Sequence, residues 1–232
     1  EIIGVIGGTG SGKTSFANLI SRLYDVDAGS VKVGGHDVRE YDLEVLRDQV
    51  AVVLQKNVLF SGTILDNLRW GNENATDEEC MEACRQACAD EFIERFPDKY
   101  NTWIEQGGSN VSGGQKQRIS IARALVADPE VLILDDSLSA VDAETEEAIL
   151  NNLKATRENK TNIITAHRMS AVAHADLIIV MESGTVSEMG THNELMASKG
   201  WYHDTFKAQS LRNALESNLD EVVERGDVDG RE

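Results

Sequence analysis

A glycine-rich run near the start of this 232-residue chain, Gly7-Gly8-Thr9-Gly10-Ser11-Gly12-Lys13-Thr14, leaves few folds open to it. The run fits the pattern G-x-x-x-x-G-K-[ST] of a phosphate-binding loop, or P-loop. It follows an apolar stretch at 2–6 that predicts a strand, and it opens a stretch at 13–24 whose apolar spacing predicts a helix. This order predicts an α/β fold in which backbone amides and a helix N-terminus bind phosphate groups.

The side chains of the loop predict a nucleotide site that also binds a divalent cation. Lys13 is expected to reach the β- and γ-phosphates, and the Thr14 hydroxyl is expected to bind Mg²⁺. The apolar run 131–134 ends in Asp135, and a carboxylate at the end of a neighbouring buried strand is expected to hold the same ion. The predicted contacts of the loop come from Gly7, Gly8, Thr9, Gly10, Ser11, Gly12, Lys13, Thr14 and Ser15.

The rest of the chain predicts a mostly parallel sheet with a helical insert. Two glycine-containing turns, at 34–35 and 183–184, predict antiparallel hairpins, and a capping box of Thr76 and Glu79 begins the helical region. The pattern is that of βαβ units and predicts a P-loop NTPase core of RecA-like type, with a hairpin portion and a helical subdomain. Four further runs of strand length are separated by helix-like stretches: 50–54, 131–134, 162–165 and 177–181.

The same patterns divide the chain into four parts. Residues 1–71 form the first part of the core, 72–127 the helical subdomain, 128–200 the second part of the core, and 201–232 a C-terminal helix and acidic tail. From residue 213 the tail carries seven acidic residues and few large apolar ones, so we predict that it is solvated. Because Glu1 opens directly into a core strand, we expect the chain to be part of a longer protein.

Charge and cysteine spacing argue against several classes of partner. The chain carries 22 Lys and Arg against 40 Asp and Glu, a net charge of −18, which argues against nucleic acid as a partner. No apolar run approaches the about 20 residues that a membrane-spanning helix needs. Cys80, Cys84 and Cys88 recur at helical spacing without a fourth Cys or a nearby His, which favours buried apolar packing over a zinc site.

The segment Val111-Ser112-Gly113-Gly114-Gln115 resembles the LSGGQ signature of ATP-binding-cassette (ABC) proteins. It begins a predicted helix that runs to about residue 127, and so offers a second anion-binding helix N-terminus. In this family the signature binds the γ-phosphate of an ATP held by another nucleotide-binding domain. The resemblance therefore implies ATP and Mg²⁺ as cofactors, a second nucleotide-binding domain as partner, and nucleotide contacts from Ser112, Gly113, Gly114 and Gln115.

Other motifs of the family occur in the expected order. Gln55 resembles the Q-loop glutamine, which implies that it senses Mg²⁺ and the attacking water. His167 resembles the switch histidine, which implies a hydrogen bond to the γ-phosphate. The stretch 137–142 resembles the D-loop and implies a nucleotide contact from Asp142.

The stretch 59–64, with Asn67 after it, resembles the exporter branch of the family. In that branch this region faces the coupling helices of a transmembrane domain. The resemblance implies a transmembrane domain fused upstream, a place at the cytoplasmic face of a cell membrane, and export as the function. It does not indicate which substrate is exported.

Three departures from the family pattern refine this reading. Asp136 stands where most active members carry Glu, and a carboxylate one methylene shorter is expected to slow hydrolysis while leaving ATP binding intact. Gln106 stands where a Glu is usual before the signature, and the chain offers no upstream aromatic to stack on adenine. Together with the intact signature, Asp136 resembles the degenerate-site half of a heterodimeric multidrug-type exporter.

Two alternatives stay open, and a third is disfavoured. A homodimeric exporter with slow hydrolysis is the nearest rival, because His167 is retained. A nucleotide-gated regulatory module that never hydrolyses is the second. A DNA-repair member of the family is disfavoured, since Lys13 and Ser112 are only 99 positions apart with no coiled coil between them.

Overall fold

A computed structural model describes the backbone of residues 1–226 and the side chains of residues 1–215. The core is a six-stranded sheet in the order β10-β9-β1-β8-β7-β4. All neighbouring pairs run parallel except β9 and β10, which form an antiparallel hairpin. The strands are β1 (Ile2–Ile6), β4 (Val50–Val53), β7 (Val131–Asp135), β8 (Thr161–Ala166), β9 (Leu177–Glu182) and β10 (Thr185–Gly190). The predicted α/β fold is confirmed.

Two short antiparallel strand pairs, nine α-helices and four short 3-10 helices complete the secondary structure of the described residues. The pairs join β2 (Lys32–Val33) to β3 (His36–Asp37) and β5 (Gly62–Thr63) to β6 (Trp103–Ile104). The helices are α1 (Lys13–Ile20), α2 (Leu43–Gln49), α3 (Ile64–Arg69), α4 (Asp77–Gln86), α5 (Asp90–Ile93), α6 (Gly113–Val126), α7 (Ala143–Thr156), α8 (His192–Ser198) and α9 (Trp201–Gly226).

Two predicted helices are shorter in the structure than in the sequence analysis. The helix predicted over 13–24 ends at Ile20, and the helix predicted to end near residue 89 ends at Gln86. In both cases a non-glycine residue just beyond the helix adopts a left-handed backbone conformation. After α1 it is Arg22, at φ 51°, and after α4 it is Cys88, at φ 52°. This conformation stops a right-handed helix, and neither residue type signals it in the sequence.

Helix α3 was not predicted, although its start carries a sequence signal. The Thr63 hydroxyl accepts a hydrogen bond from the Asp66 amide at 3.0 Å, and the Asp66 carboxylate accepts one from the Thr63 amide at 2.8 Å. This is a capping box of the same kind as Thr76 with Glu79. Helix α3 packs against α6 and α4, although the predicted division places it in the first part of the core. The four-part division stays a prediction.

The helical region is held together by an apolar core that includes all three cysteines. Cys80, Cys84 and Cys88 are buried, and burial raises the pKa of each thiol. The prediction of buried packing is confirmed. In the part of the chain that the structure describes, no cluster of three or more His, Cys, Asp or Glu side chains is arranged to hold a metal ion.

None of the helices described over residues 1–226 combines the length and apolar character needed to cross a membrane. The sequence-based prediction that the acidic tail is solvated concerns side chains that, from residue 216 onward, lie outside the described ones.

The contact between α3 and α6 depends on Gly71. A Cβ atom at this position would lie 2.1 Å from the carbonyl oxygen of Arg123. We therefore expect Gly71→Ala to lower the free energy of unfolding by about 1–3 kcal/mol, the usual cost of overpacking. Urea unfolding followed by circular dichroism measures this loss. The control is Gly8→Ala, because a Cβ atom there meets nothing within 4 Å; equal unfolding midpoints for the two variants would contradict the prediction.

Candidate active site

The P-loop connects the end of β1 to the first turn of α1 in a conformation that only glycine supports. Gly12, the residue before α1, has φ 103°, and no side chain caps the first turn of the helix. A Cβ atom at Gly7 would lie 2.3 Å from the carbonyl oxygen of Met181. Because the first amides of a helix lack partners within the helix, an uncapped N-terminus leaves them free to bind an anion.

The side chain of Lys13 lies against the backbone of this loop. Its ammonium donates hydrogen bonds to the carbonyl oxygens of Gly7 at 2.8 Å and Gly8 at 3.1 Å. Burial lowers its pKa, and the nearby charges of Asp136 and Asp135 oppose that effect. A positive charge is therefore held beside free helix amides, which is the arrangement that phosphate binding requires.

The Asp135 carboxylate joins three elements at the carboxyl end of the sheet. It accepts hydrogen bonds from the Thr14 hydroxyl at 2.9 Å and from the Thr165 hydroxyl at 2.6 Å. The register of β7 and β8 places Asp135 opposite Thr165. Hydroxyl and carboxylate oxygens are ligands that Mg²⁺ prefers, so the donor set formed by Thr14 and Asp135 fits this ion.

The structure joins Gln55 to Asp136 rather than to the pair of Thr14 and Asp135. The Gln55 amide donates to the Asp136 carboxylate at 2.7 Å. The Asp136 backbone has φ 49°, and its amide donates to the carbonyl and the hydroxyl of Thr165 at 3.0 and 3.1 Å. The left-handed backbone thus has two hydrogen bonds that offset its strain. A contact between Gln55 and Mg²⁺ stays a prediction.

His167 lies two residues beyond Thr165, where β8 has ended. His167 and Asp136 both line a cavity of about 120 Å³ behind the end of the sheet. The structure therefore brings together the three residues predicted to be catalytic, Gln55, Asp136 and His167, although they come from three distant parts of the sequence. Their roles stay predictions.

The predicted signature residues form the N-terminus of α6. Ser112 and Gln115 make a reciprocal capping box, in which the Ser112 hydroxyl accepts from the Gln115 amide at 3.2 Å. Gly114 packs against the D-loop, since a Cβ atom there would lie 2.8 Å from the carbonyl oxygen of Ala140. Within residues 1–215 no hydrogen bond joins residues 112–115 to the P-loop residues 7–15. The start of α6 is therefore not bonded to the P-loop, and its binding of a phosphate stays a prediction.

One residue that the sequence analysis missed links the signature helix to the D-loop. The Gln117 side chain accepts a hydrogen bond from the Ala140 amide at 2.9 Å and donates one to the Ser139 hydroxyl at 3.3 Å. Nothing in the local sequence distinguishes Gln117 from a surface glutamine, but it is buried. Asp142, predicted to contact nucleotide, caps α7 by accepting from the Thr145 amide at 2.9 Å, and this bond lowers its pKa.

A family model described as "ABC transporter" matches residues 1–139. The chain is 45% identical over 216 residues to a "Probable multidrug resistance ABC transporter ATP-binding/permease protein" of Bacillus subtilis, covering 93% of this chain and 37% of that protein. It is 43% identical over 216 residues to "ATP-binding cassette sub-family B member 5" of Homo sapiens, covering 93% of this chain and 17% of that one.

A solved structure is similar as well. A bacterial Atm1-family ABC exporter with ATP bound aligns with a TM-score of 0.87 and 36% sequence identity, over 90% of this chain and 37% of the exporter chain. The chain thus spans 37% or less of the length of each of these proteins. The extent of the alignment indicates that the sheet and the helical region are both shared.

The position of Lys13 predicts a specific effect on nucleotide binding. We expect Lys13→Met to weaken ATP binding by about a hundredfold, because it removes the charge that would bond to the phosphates. The fold should persist, since Met fills the same buried space. Isothermal titration with ATP measures the affinity. Lys154→Met, on the exposed face of α7, is the matched control; unchanged affinity in the Lys13 variant would contradict the assignment.

Proposed function

This chain belongs to the ABC transporter family and corresponds to the ATP-binding domain of an exporter, and from that premise we propose that it binds and hydrolyses ATP to drive export. The observation that carries the proposal is the hydrogen-bonded row of Thr14, Asp135 and Thr165 beside the uncapped end of α1. A purely structural glycine-rich turn would not need a buried carboxylate tied to the first turn of its helix.

The residues of this row and the P-loop suit ATP with Mg²⁺. Lys13 and the amides of α1 would bind the phosphates, and Thr14 with Asp135 would hold the ion. When bound, Mg²⁺ supplies charge neutralisation at the phosphates during hydrolysis. Asp135 is only 4% exposed, so few water molecules would compete with a cation for its carboxylate.

Gln55, Asp136 and His167 would act on the water that attacks the γ-phosphate. Asp136 would accept its proton, Gln55 would orient the carboxylate through the 2.7 Å bond, and His167 would hydrogen-bond the phosphate. The bond to Gln55 holds the Asp136 carboxylate close to the protein. Since a general base must lie within hydrogen-bond reach of its proton, a short, tethered carboxylate makes this site slow.

The signature would serve a second nucleotide-binding domain. Two separate anion-binding helix ends within one chain suit a head-to-tail pair, in which each site combines one P-loop with the other domain's signature. Because Asp136 weakens this chain's own site while Ser112 to Gln115 are intact, the partner that suits it is a non-identical domain with a full catalytic carboxylate.

A groove beside the helical region supports a transmembrane partner. It encloses about 730 Å³ between β4, the stretch 54–60, the end of α3 and α6. The rings of Phe60 and Trp70 stack on its rim with centroids 4.5 Å apart, and Trp70 is 67% exposed. Exposed, stacked aromatics are typical of a surface that packs against another protein segment. The name of the Bacillus subtilis relative pairs an ATP-binding with a permease part, which supports a fused transmembrane domain. In this proposal the chain itself lies at the cytoplasmic face of that membrane.

Replacing Asp136 tests whether its length limits hydrolysis. We expect the chain to hydrolyse ATP near background and Asp136→Glu to raise turnover by about tenfold or more, because the longer carboxylate reaches the attacking water. Steady-state phosphate release measures turnover, with ATP affinity checked in both proteins so that binding and chemistry are separated. Lys13→Ala provides the background.

The outcomes separate the rival readings. Brisk, equal turnover in both proteins would overturn the degenerate-site proposal and leave a homodimeric motor. Tight ATP binding with no turnover in either protein, alone or with a competent partner domain, would favour a nucleotide-gated module that does not hydrolyse.

A further inference from the structure

The C-terminal helix α9 reaches back to the segment that carries His167. The side chain of Gln209 donates a hydrogen bond to the carbonyl oxygen of His167 at 3.0 Å and accepts one from the amide of Met169 at 2.8 Å. A single side-chain amide therefore bonds the backbone on both sides of Arg168. Residues 167 and 209 are 42 positions apart, so this contact is entirely tertiary.

Helix α9 is anchored to the core on the face that presents Gln209. Tyr202 is fully buried and hydrogen-bonds His192 at 2.8 Å, and Phe206 stacks beside Tyr202. Tyr202, Phe206 and Gln209 follow the spacing i, i+4, i+7, so they share one helix face. Burial raises the pKa of Tyr202 to about 12.

The segment after β8 has no cap of its own. It forms a 3-10 turn over Met169–Ala171, and no side chain of the preceding Arg168 or its neighbours caps the turn locally. Gln209 fills that role from a distant helix by accepting from the first amide of the turn. On the opposite side, Arg168 donates to the carbonyl oxygens of Leu138 and Val141 in the D-loop.

The Arg168 guanidinium is itself fixed by a buried acid. It pairs with Glu146 on α7, whose pKa is raised by burial, an effect that the charge of Arg168 partly offsets. His167 is thus held between two restraints, the D-loop through Arg168 and the C-terminal helix through Gln209. The carbonyl oxygen of His167 and the amide of Met169 are bonded by Gln209 and not by Arg168.

We propose that Gln209 is the positioning residue that fixes His167 for its contact with the γ-phosphate. This inference rests on the proposed function, because it assumes that His167 acts in hydrolysis. Gln209 does not touch the P-loop, so its loss changes the chemical step and leaves nucleotide binding unchanged. In this proposal the C-terminal helix contributes to hydrolysis, because it carries the residue that positions His167.

The test uses the full chain, in an Asp136→Glu background if turnover of the unaltered chain is too low to measure. Gln209→Leu fills the same space without hydrogen bonds, and Gln209→Ala removes the side chain. We expect both to lower kcat by about tenfold, with KM for ATP unchanged, because small displacements of a catalytic group cost rate rather than affinity. The matched control, Asn213→Ala, lies one turn further on α9, is exposed, and should change neither quantity.

Two further readouts separate positioning from a general loss of structure. In a His167→Ala background, Gln209→Leu should cause no additional loss of kcat, since residues that act through one another are not additive. Amide exchange at Met169 should be about tenfold faster in Gln209→Leu, while exchange in β8 stays unchanged. An additive loss of kcat, or a parallel rise in KM, would overturn the proposal in favour of a merely structural role.

The exchange measurement also distinguishes failure of this inference from failure of the proposed function. If no form of the chain hydrolyses ATP, alone or with a competent partner domain, the proposed function fails, while faster exchange at Met169 alone still supports the restraint. If exchange at Met169 is unchanged in both Gln209 variants, the positioning role is overturned whatever the turnover.

Discussion

The rest of the site depends on the hydrogen bonds of the Asp135 carboxylate, which is buried at the carboxyl end of β7. A buried charge is costly unless it is paired, and hydrogen bonds to charged groups contribute about 1.5–3 kcal/mol each. Asp135 accepts one hydroxyl from Thr14 in α1 and another from Thr165 in β8. The charge therefore fixes the first turn of α1, the end of β7 and the end of β8 relative to one another, and the P-loop, Asp136 and His167 are all continuous with these three elements.

The parallel sheet explains why these elements meet. Its strands β1, β8 and β7 are neighbours, so their carboxyl ends, and the segments that follow them, come out at the same edge. Beyond that edge the restraints are side-chain to backbone bonds over long sequence separations. Gln117 holds the D-loop to the signature helix, Arg168 holds the D-loop to the segment after β8, and Gln209 holds that segment to the C-terminal helix. This edge of the sheet is thus connected to the signature helix and to the C-terminal helix by polar contacts.

Much of the site could be predicted because its motifs are local. The P-loop, Asp135 at the end of an apolar run, and the signature at the start of a helix each combine a residue pattern with a neighbouring element of known period. The strand that ends in Asp135, β7, is not the direct neighbour of β1 that the sequence predicts, because β8 lies between them. What could not be predicted were features that depend on distant partners. The early ends of α1 and α4 follow from left-handed Arg22 and Cys88, and the bond between Gln55 and Asp136 spans 81 positions.

The sequence by itself determined the fold class, the phosphate-binding loop and the family, because glycine placement and apolar periodicity act through the local backbone. Only the tertiary structure decided which side chains share a contact. It paired Gln55 with Asp136, gave Asp142 a capping role and brought Gln209 to the segment of His167. A hydrogen bond needs two groups within about 3 Å, and for residues far apart in the chain that proximity comes from the packing of whole elements, which no local pattern records.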